Sequence, residues 1–132
     1  MANLPENLRY TSSHEWVQLL DDGTVRVGIT DYAQHALGDM VYVELPDVGS
    51  SYPAQAECAV VESVKSASDL YCPLAGEVVE VNAVLNDAPE RINQDPYGEG
   101  WIFRIRPDNP DDIERLLEAD EYAEVVTEEE KE

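Results

Sequence analysis

Between Tyr10 and Ser63 the apolar residues recur at every second position or in short continuous runs. They are drawn from the β-branched and aromatic types, as at Trp16, Val17, Val25, Val27, Ile29, Val43, Val60 and Val61. Strand side chains alternate between two faces whereas a helix repeats about every 3.6 residues, so this spacing predicts strands and leaves no helical core. Asp22 and Gly23 separate EWVQLL from TVRVGI with turn chemistry suited to a hairpin. One short helix interrupts the strands. TDYAQHALG has Thr30 or Asp31 as its cap, Tyr32, Ala33, Ala36 and Leu37 on one side, and Gly38 as its stop.

Pro46, Gly49 and Pro53 mark loops, after which ECAVVES and SASDLY predict two strands flanking Lys65, with GEVVEVN as a third. A short helical stretch around residues 89–92 leads into DPYGEG, a turn-rich loop, and WIFRIR returns as a strand with one buried face. Beyond it, Asn109 can cap, Pro110 suits the first helical position, and Asp111 and Asp112 favour the positive end of a helix dipole. Apolar stripes at Ile113, Leu116 and Leu117, then at Ala119, Tyr122, Ala123 and Val126, predict two short helices packed on the sheet. The terminal TEEEKE has nothing to bury. The expectation is one domain over residues 1–126 and a frayed acidic tail over 127–132.

The chain carries 29 acidic and 8 basic residues, a net charge of -21. That field repels phosphate backbones and anionic headgroups, which argues against nucleic-acid and membrane partners and favours proteins with basic faces. Steering by such a surface would weaken as salt rises; solubility alone accounts for the charge equally well. MANLPENLRY has neither a signal-peptide apolar region nor a transit-peptide character, and a cytoplasmic location is expected. Cys58 and Cys72 lack metal-ligand spacing. If Val64 and Lys65 form a two-residue turn, Ser63 faces Ser66 and Cys58 lies opposite Tyr71. The two thiols then sit on opposite faces of the hairpin, free.

Lys65 stands out because the only other lysine is Lys131; every other positive side chain is arginine. A lysine at a hairpin tip is ordinarily a solvated charge. Three features favour a presented amine instead. Few lysines compete with it, its neighbours Val64, Ser66, Ala67 and Ser68 are small or β-branched, and no GxSxG, HExxH or Gly-rich phosphate loop offers another site. A Schiff-base role would need an amine desolvated in a pocket, the opposite of a hairpin tip.

ESVKSASD followed by YCPLAGEVVEVN resembles the lipoyl-attachment hairpin of the glycine cleavage system H-protein family. HEWV, VGITDYAQ, LGDMVYVELPDVG and DPYGEGW resemble the same family in the same order, so the resemblance runs from about Tyr10 to Tyr122. It implies a mainly β fold, a lipoyl-domain-like flattened β-barrel or sandwich with short peripheral helices, including C-terminal ones. It also implies lipoic acid in amide linkage to Lys65, on a carrier that is not itself an enzyme. The partners implied are glycine decarboxylase (P protein), which loads an aminomethyl group, aminomethyltransferase (T protein), which passes the carbon to tetrahydrofolate, and dihydrolipoyl dehydrogenase (L protein), together with a lipoate-attaching enzyme.

The resemblance further points to Ser13, Glu15 and Asp69 as residues that hold the loaded arm, with Glu15 first for the amine, and to Glu62 as a landmark for the attaching enzyme. Some members have a histidine where this chain has Ala36. His35 precedes it by one residue, a turn of about 100 degrees on a helix, and is not expected to substitute. Related readings are a biotinyl carrier, which usually sets its lysine between methionines, and a 2-oxoacid dehydrogenase lipoyl domain, which lacks the HEWV block. An H-like protein that relays lipoate to other enzymes would need the same hairpin. A module with an unmodified Lys65 would belong to a different class altogether.

Overall fold

The structure, a computed structural model, describes residues 5–130. Nine strands form two antiparallel sheets. The larger joins β1 (Arg9–Tyr10), β2 (Glu15–Leu19), β3 (Val25–Ile29), β5 (Ser51–Tyr52), β8 (Gly76–Val81) and β9 (Phe103–Pro107) in the order β1-β2-β3-β9-β8-β5. The smaller joins β4 (Met40–Glu44), β6 (Glu57–Ser63) and β7 (Ala67–Tyr71) in the order β4-β6-β7. Neither sheet closes on itself, and the architecture is the mainly β flattened sandwich expected.

The main core fills the space between the sheets: Val25, Val27, Phe103 and Ile105 from the larger meet Val43, Val61 and Leu70 from the smaller. Burial of these side chains is the main stabilising term, at roughly 1.5–3 kcal/mol for each large one. A second cluster, built on Leu8, Tyr10, Trp16, Tyr122 and Val126, lies where α4 (Ala119–Glu130) packs against β1 and β2. Tyr10 and Tyr122 stack there at 4.9 Å. Glu15, Trp16 and Val17 are consequently all buried, so β2 has no solvent face over three successive residues. Gly28 lies opposite Trp16, where a Cβ would stand 2.6 Å from the indole nitrogen. The bare backbone lets that ring lie across β3 and donate to the Pro96 carbonyl at 2.8 Å.

Most of the predicted elements form. The helix α1 (Asp31–Leu37) is capped by Thr30, whose hydroxyl accepts from the Ala33 amide. Gly38 ends it at φ 87°, a left-handed conformation that favours glycine. Asn109 caps the segment led by Pro110, although Pro110–Arg115 winds as a 3-10 helix. A single turn α2 (Val84–Asp87), not among the predicted elements, precedes α3 (Arg91–Gln94). Positions 127–130, assigned from sequence to an acidic tail, continue α4; 131 and 132 lie outside the described residues.

The predicted register of the Lys65 hairpin holds from Glu62↔Ala67 to Ala59↔Leu70 and then shifts, leaving Glu57 opposite Tyr71. The predicted pairing of Cys58 with Tyr71, and the placement of the thiols on opposite faces, are therefore corrected. A bulge at Cys58 adds a residue to β6 and resets the alternation, so both thiols turn into the core as free, buried groups. The neighbouring Cys72 thiol, and after it burial, push the Cys58 thiol far above its usual pKa.

The α4 contact should be a large share of the fold's stability. Tyr122→Ala removes a fully buried ring and is expected to cost about 3–5 kcal/mol in urea unfolding. Tyr122→Phe, which strips only a hydroxyl bonded to Thr30 and His14, should cost about 1–2 kcal/mol.

Candidate functional site

The hairpin tip is knitted by one side chain. Ser63 N–H donates to the Ser66 carbonyl at 2.8 Å, and the Ser63 hydroxyl accepts from the amides of Lys65 at 3.1 Å and Ser66 at 3.2 Å. Serine competes well for backbone groups in turns, which is why the chain reverses here. A further bond from Val64 N–H to the Asp39 carbonyl, 3.0 Å, fastens the tip to the segment after α1. The exposed Lys65 then lies along the end of that helix, its Nζ 3.5 Å from the Ala36 carbonyl. A Cβ on Gly38 would stand 3.4 Å from Lys65 Cε and 3.8 Å from Val64 Cγ2. These are ordinary contact distances, so it is the positive φ of the helix stop that calls for glycine at 38.

Between α1 and the smaller sheet a cleft of about 190 Å³ opens beside this lysine. Ile29, Ala33, Leu37 and Leu70 supply apolar walls; Ser13, His14, Asp69 and Glu129 supply the polar part of its lining. Ala36 lines it as well, whereas His35 does not. Glu62 is elsewhere, exposed on the outer face of the smaller sheet between Tyr42 and Ala67.

Ser13 also borders a larger cavity of about 420 Å³, lined further by Thr11, Glu15, Tyr71, Cys72 and Arg115. Glu15 faces this second cavity and reaches the first only through Ser13. Its Oε1 accepts from the hydroxyls of Thr11 at 2.6 Å and Ser13 at 2.7 Å, and its Oε2 from the Tyr71 amide at 3.3 Å. Thr11 in turn accepts from the Glu15 amide at 3.1 Å, which closes the chain into a tight loop. Burial raises the Glu15 pKa above its ordinary value, and the three donors oppose that shift without cancelling it.

Of the residues expected from the sequence, the structure brings Ser13, Glu15 and Asp69 around two adjoining cavities, and Lys65 touches the smaller one only through Ala36, which lines it. His14, Tyr122 and Glu129 are not among the expected site residues; Tyr122 is expected only as part of a helix's apolar stripe. His14 sits at φ 74° with Nδ1 2.6 Å from the Tyr122 hydroxyl and Nε2 3.0 Å from Glu129, which ties α4 to the cleft. Its place in HEWV was visible, but its partners lie more than a hundred residues away.

A family model described as glycine cleavage H-protein matches residues 8–129. The chain belongs to the glycine cleavage H-protein family. It is 66% identical over 122 residues to the glycine cleavage system H protein of Psychrobacter sp. (strain PRwf-1), covering 92% of this chain and 97% of that relative. It is 58% identical over 130 residues to the H protein of Alkalilimnicola ehrlichii, covering 98% and 100%. The crystal structure of a glycine cleavage system H protein from Mycobacterium marinum superposes with a TM-score of 0.86 at 43% identity, covering 94% of this chain and 99% of that one.

The Glu15 environment makes a pH prediction. A carboxyl whose folded pKa is raised holds its proton more tightly when folded, so its contribution to stability falls as pH rises from its ordinary 4.5 through the raised folded value. Glu15→Gln removes that contribution. Across this window the urea midpoint of the variant should decline less, or rise more, than the parent's; parallel curves would mean that Glu15 ionises without penalty.

Proposed function

We propose that this chain is a non-catalytic carrier that bears lipoic acid in amide linkage on Lys65. It would accept an aminomethyl group from glycine decarboxylase (P protein), deliver it to aminomethyltransferase (T protein), and meet dihydrolipoyl dehydrogenase (L protein) for reoxidation. The observation that carries this reading is an exposed, nearly solitary lysine on a stiffened turn, its amine 3.5 Å from the carbonyl of Ala36, a residue that lines a partly apolar cleft. When attached, lipoate supplies sulfurs that hold the one-carbon unit and exchange electrons. Members of this family work in the glycine cleavage system, and the residues here fit that group: an acyl chain matches the walls of Ile29, Ala33 and Leu37.

The chain's own residues then have distinct tasks. Lys65 provides the nitrogen of the amide and loses its charge in forming it. The apolar walls limit water at the cargo. Ser13 and Asp69 present acceptors to a cationic amine. Glu15 is our first assignment for the amine itself, because its Oε2 takes only one long hydrogen bond and keeps acceptor capacity. Glu62 serves as a landmark for the lipoate-attaching enzyme. We assign the work to a single carrier domain that takes in the whole of α4, in the cytoplasm. Among the described residues no helix is long and apolar enough to cross a membrane.

Lys65→Arg keeps charge but cannot form the amide. Intact-mass measurement after co-expression with a lipoylating enzyme should find no added mass, and a reconstituted glycine-cleavage assay should find no activity, with thermal unfolding unchanged. Retained activity in that variant would overturn the assignment. For the arm-holding residues, Glu15→Ala should lose a loaded aminomethyl group several-fold faster than the parent, while His35→Ala keeps the parental rate. Equal rates for Glu15→Ala and parent would remove Glu15 from this role.

A further inference from the structure

Val41 and Tyr42 are consecutive in β4, yet both are more than half exposed, at 54% and 51%. A regular strand would send one of them inward. The cause is a bulge: Met40 faces Ser63 and Tyr42 faces Glu62, so two steps along β4 match one along β6 and Val41 has no opposite number. Val64, at 67% exposure, stands beside them, its amide tied to Asp39 just before β4. Half of the six large exposed apolar side chains among the described residues thus gather next to Lys65. Farther along the same sheet face the character changes. Val60 lies opposite Glu44 on β4 and Asp69 on β7, and a groove of about 360 Å³ is bordered by Glu44, Asp47, Glu57 and Asp69.

We propose that this outer face of the β4-β6-β7 sheet is the docking surface for the enzyme that attaches the acyl group to Lys65. Val41, Tyr42 and Val64 enter an apolar pocket of that enzyme, and Glu62 with the acidic groove meets a basic rim. The proposal rests on the reading of Lys65 as the attachment point.

Reach selects this occupant over the enzymes that use the finished arm. An enzyme that acylates the unmodified amine must bring its activated carbonyl to Nζ, which rests at the end of α1 beside the hairpin tip. Its walls must therefore touch the residues flanking that tip. Enzymes that act at the sulfurs meet them at the end of a long acyl tether and need no contact there. Charge selects the rim, because a chain of net charge -21 attracts a basic surface at long range while the apolar side chains fix register at contact. Exposed apolar groups add nothing to solubility, which makes their concentration at one spot informative.

The test uses the unmodified chain with a purified lipoate–protein ligase, lipoate and Mg-ATP, following the mass gained at Lys65 as the amide forms from lipoyl-adenylate and AMP leaves. The double variant Val41→Ser, Tyr42→Ser should lose about tenfold in kcat/KM, carried by KM, equivalent to roughly 1.4 kcal/mol. Tyr42→Phe should keep the parental rate, because the ring and not the hydroxyl is buried. Leu19→Ser, as exposed but on β2, should also be unchanged. Val64→Ser, on the exposed tip, gives the same loss in direction and guards against a double variant that fails to fold. The double variant, once fully lipoylated by long incubation, should be loaded by glycine decarboxylase at the parental rate. Unchanged ligation of both serine variants would overturn the proposal, as would intact ligation with a slowed decarboxylase step. Failure of the parent to gain mass would instead overturn the reading of Lys65 itself.

Discussion

Over residues 15–17 the strand that carries the polar end of the site has no face left for water. β2 presses Val17 into the sandwich core and Trp16 against the second cluster, and Glu15 is caught between the two at 1% exposure. A carboxylate in that position survives only because three donors converge on it. The loop that supplies two of them, residues 11–15, is held in shape by the same Thr11 hydroxyl that donates to the carboxylate. Position, protonation and backbone conformation of this segment are therefore one problem, solved by burial on both sides.

The lysine end of the site follows the opposite principle. Little there is buried, and rigidity comes from short-range hydrogen bonds: Ser63 across the turn and Asp39 to Val64. A mobile side chain is thus mounted on a turn that cannot wander. On the function proposed above, reach at the tip and chemical control at Glu15 are separate requirements, and they fall on different sheets.

How much of this the sequence discloses depends on the range over which each feature is decided. The α1 cap at Thr30, its stop at Gly38 and the Ser63–Ser66 turn are local, and the residue types alone point to them. The pairing of β6 with β7 could be extended outward from that turn as far as Leu70, where the count failed. A bulge at Cys58 reflects how two packed layers are accommodated, and no residue type at 57–59 announces it. The bulge at Val41 was invisible for the same reason. Ser13, Glu15 and Asp69 came from resemblance, but the burial of Glu15 did not, since a glutamate opening a strand reads as solvent-facing. It is enclosed by packing that includes α4, a helix from the far end of the chain, and long separations of this kind leave no periodic trace.

The ends of the larger sheet carry a consequence of another kind. β1 and β5, which terminate it, are only two residues long, so each offers few unpaired backbone groups to another molecule. The smaller sheet ends on β4, broken by its bulge, and on β7, which bears Asp69. Together with strong mutual repulsion between copies, these blunted borders give the folded chain few ways to grow into fibrils or clumps. A carrier of the kind proposed above, which would visit several enzymes in turn, could then be held at high concentration and stay dispersed.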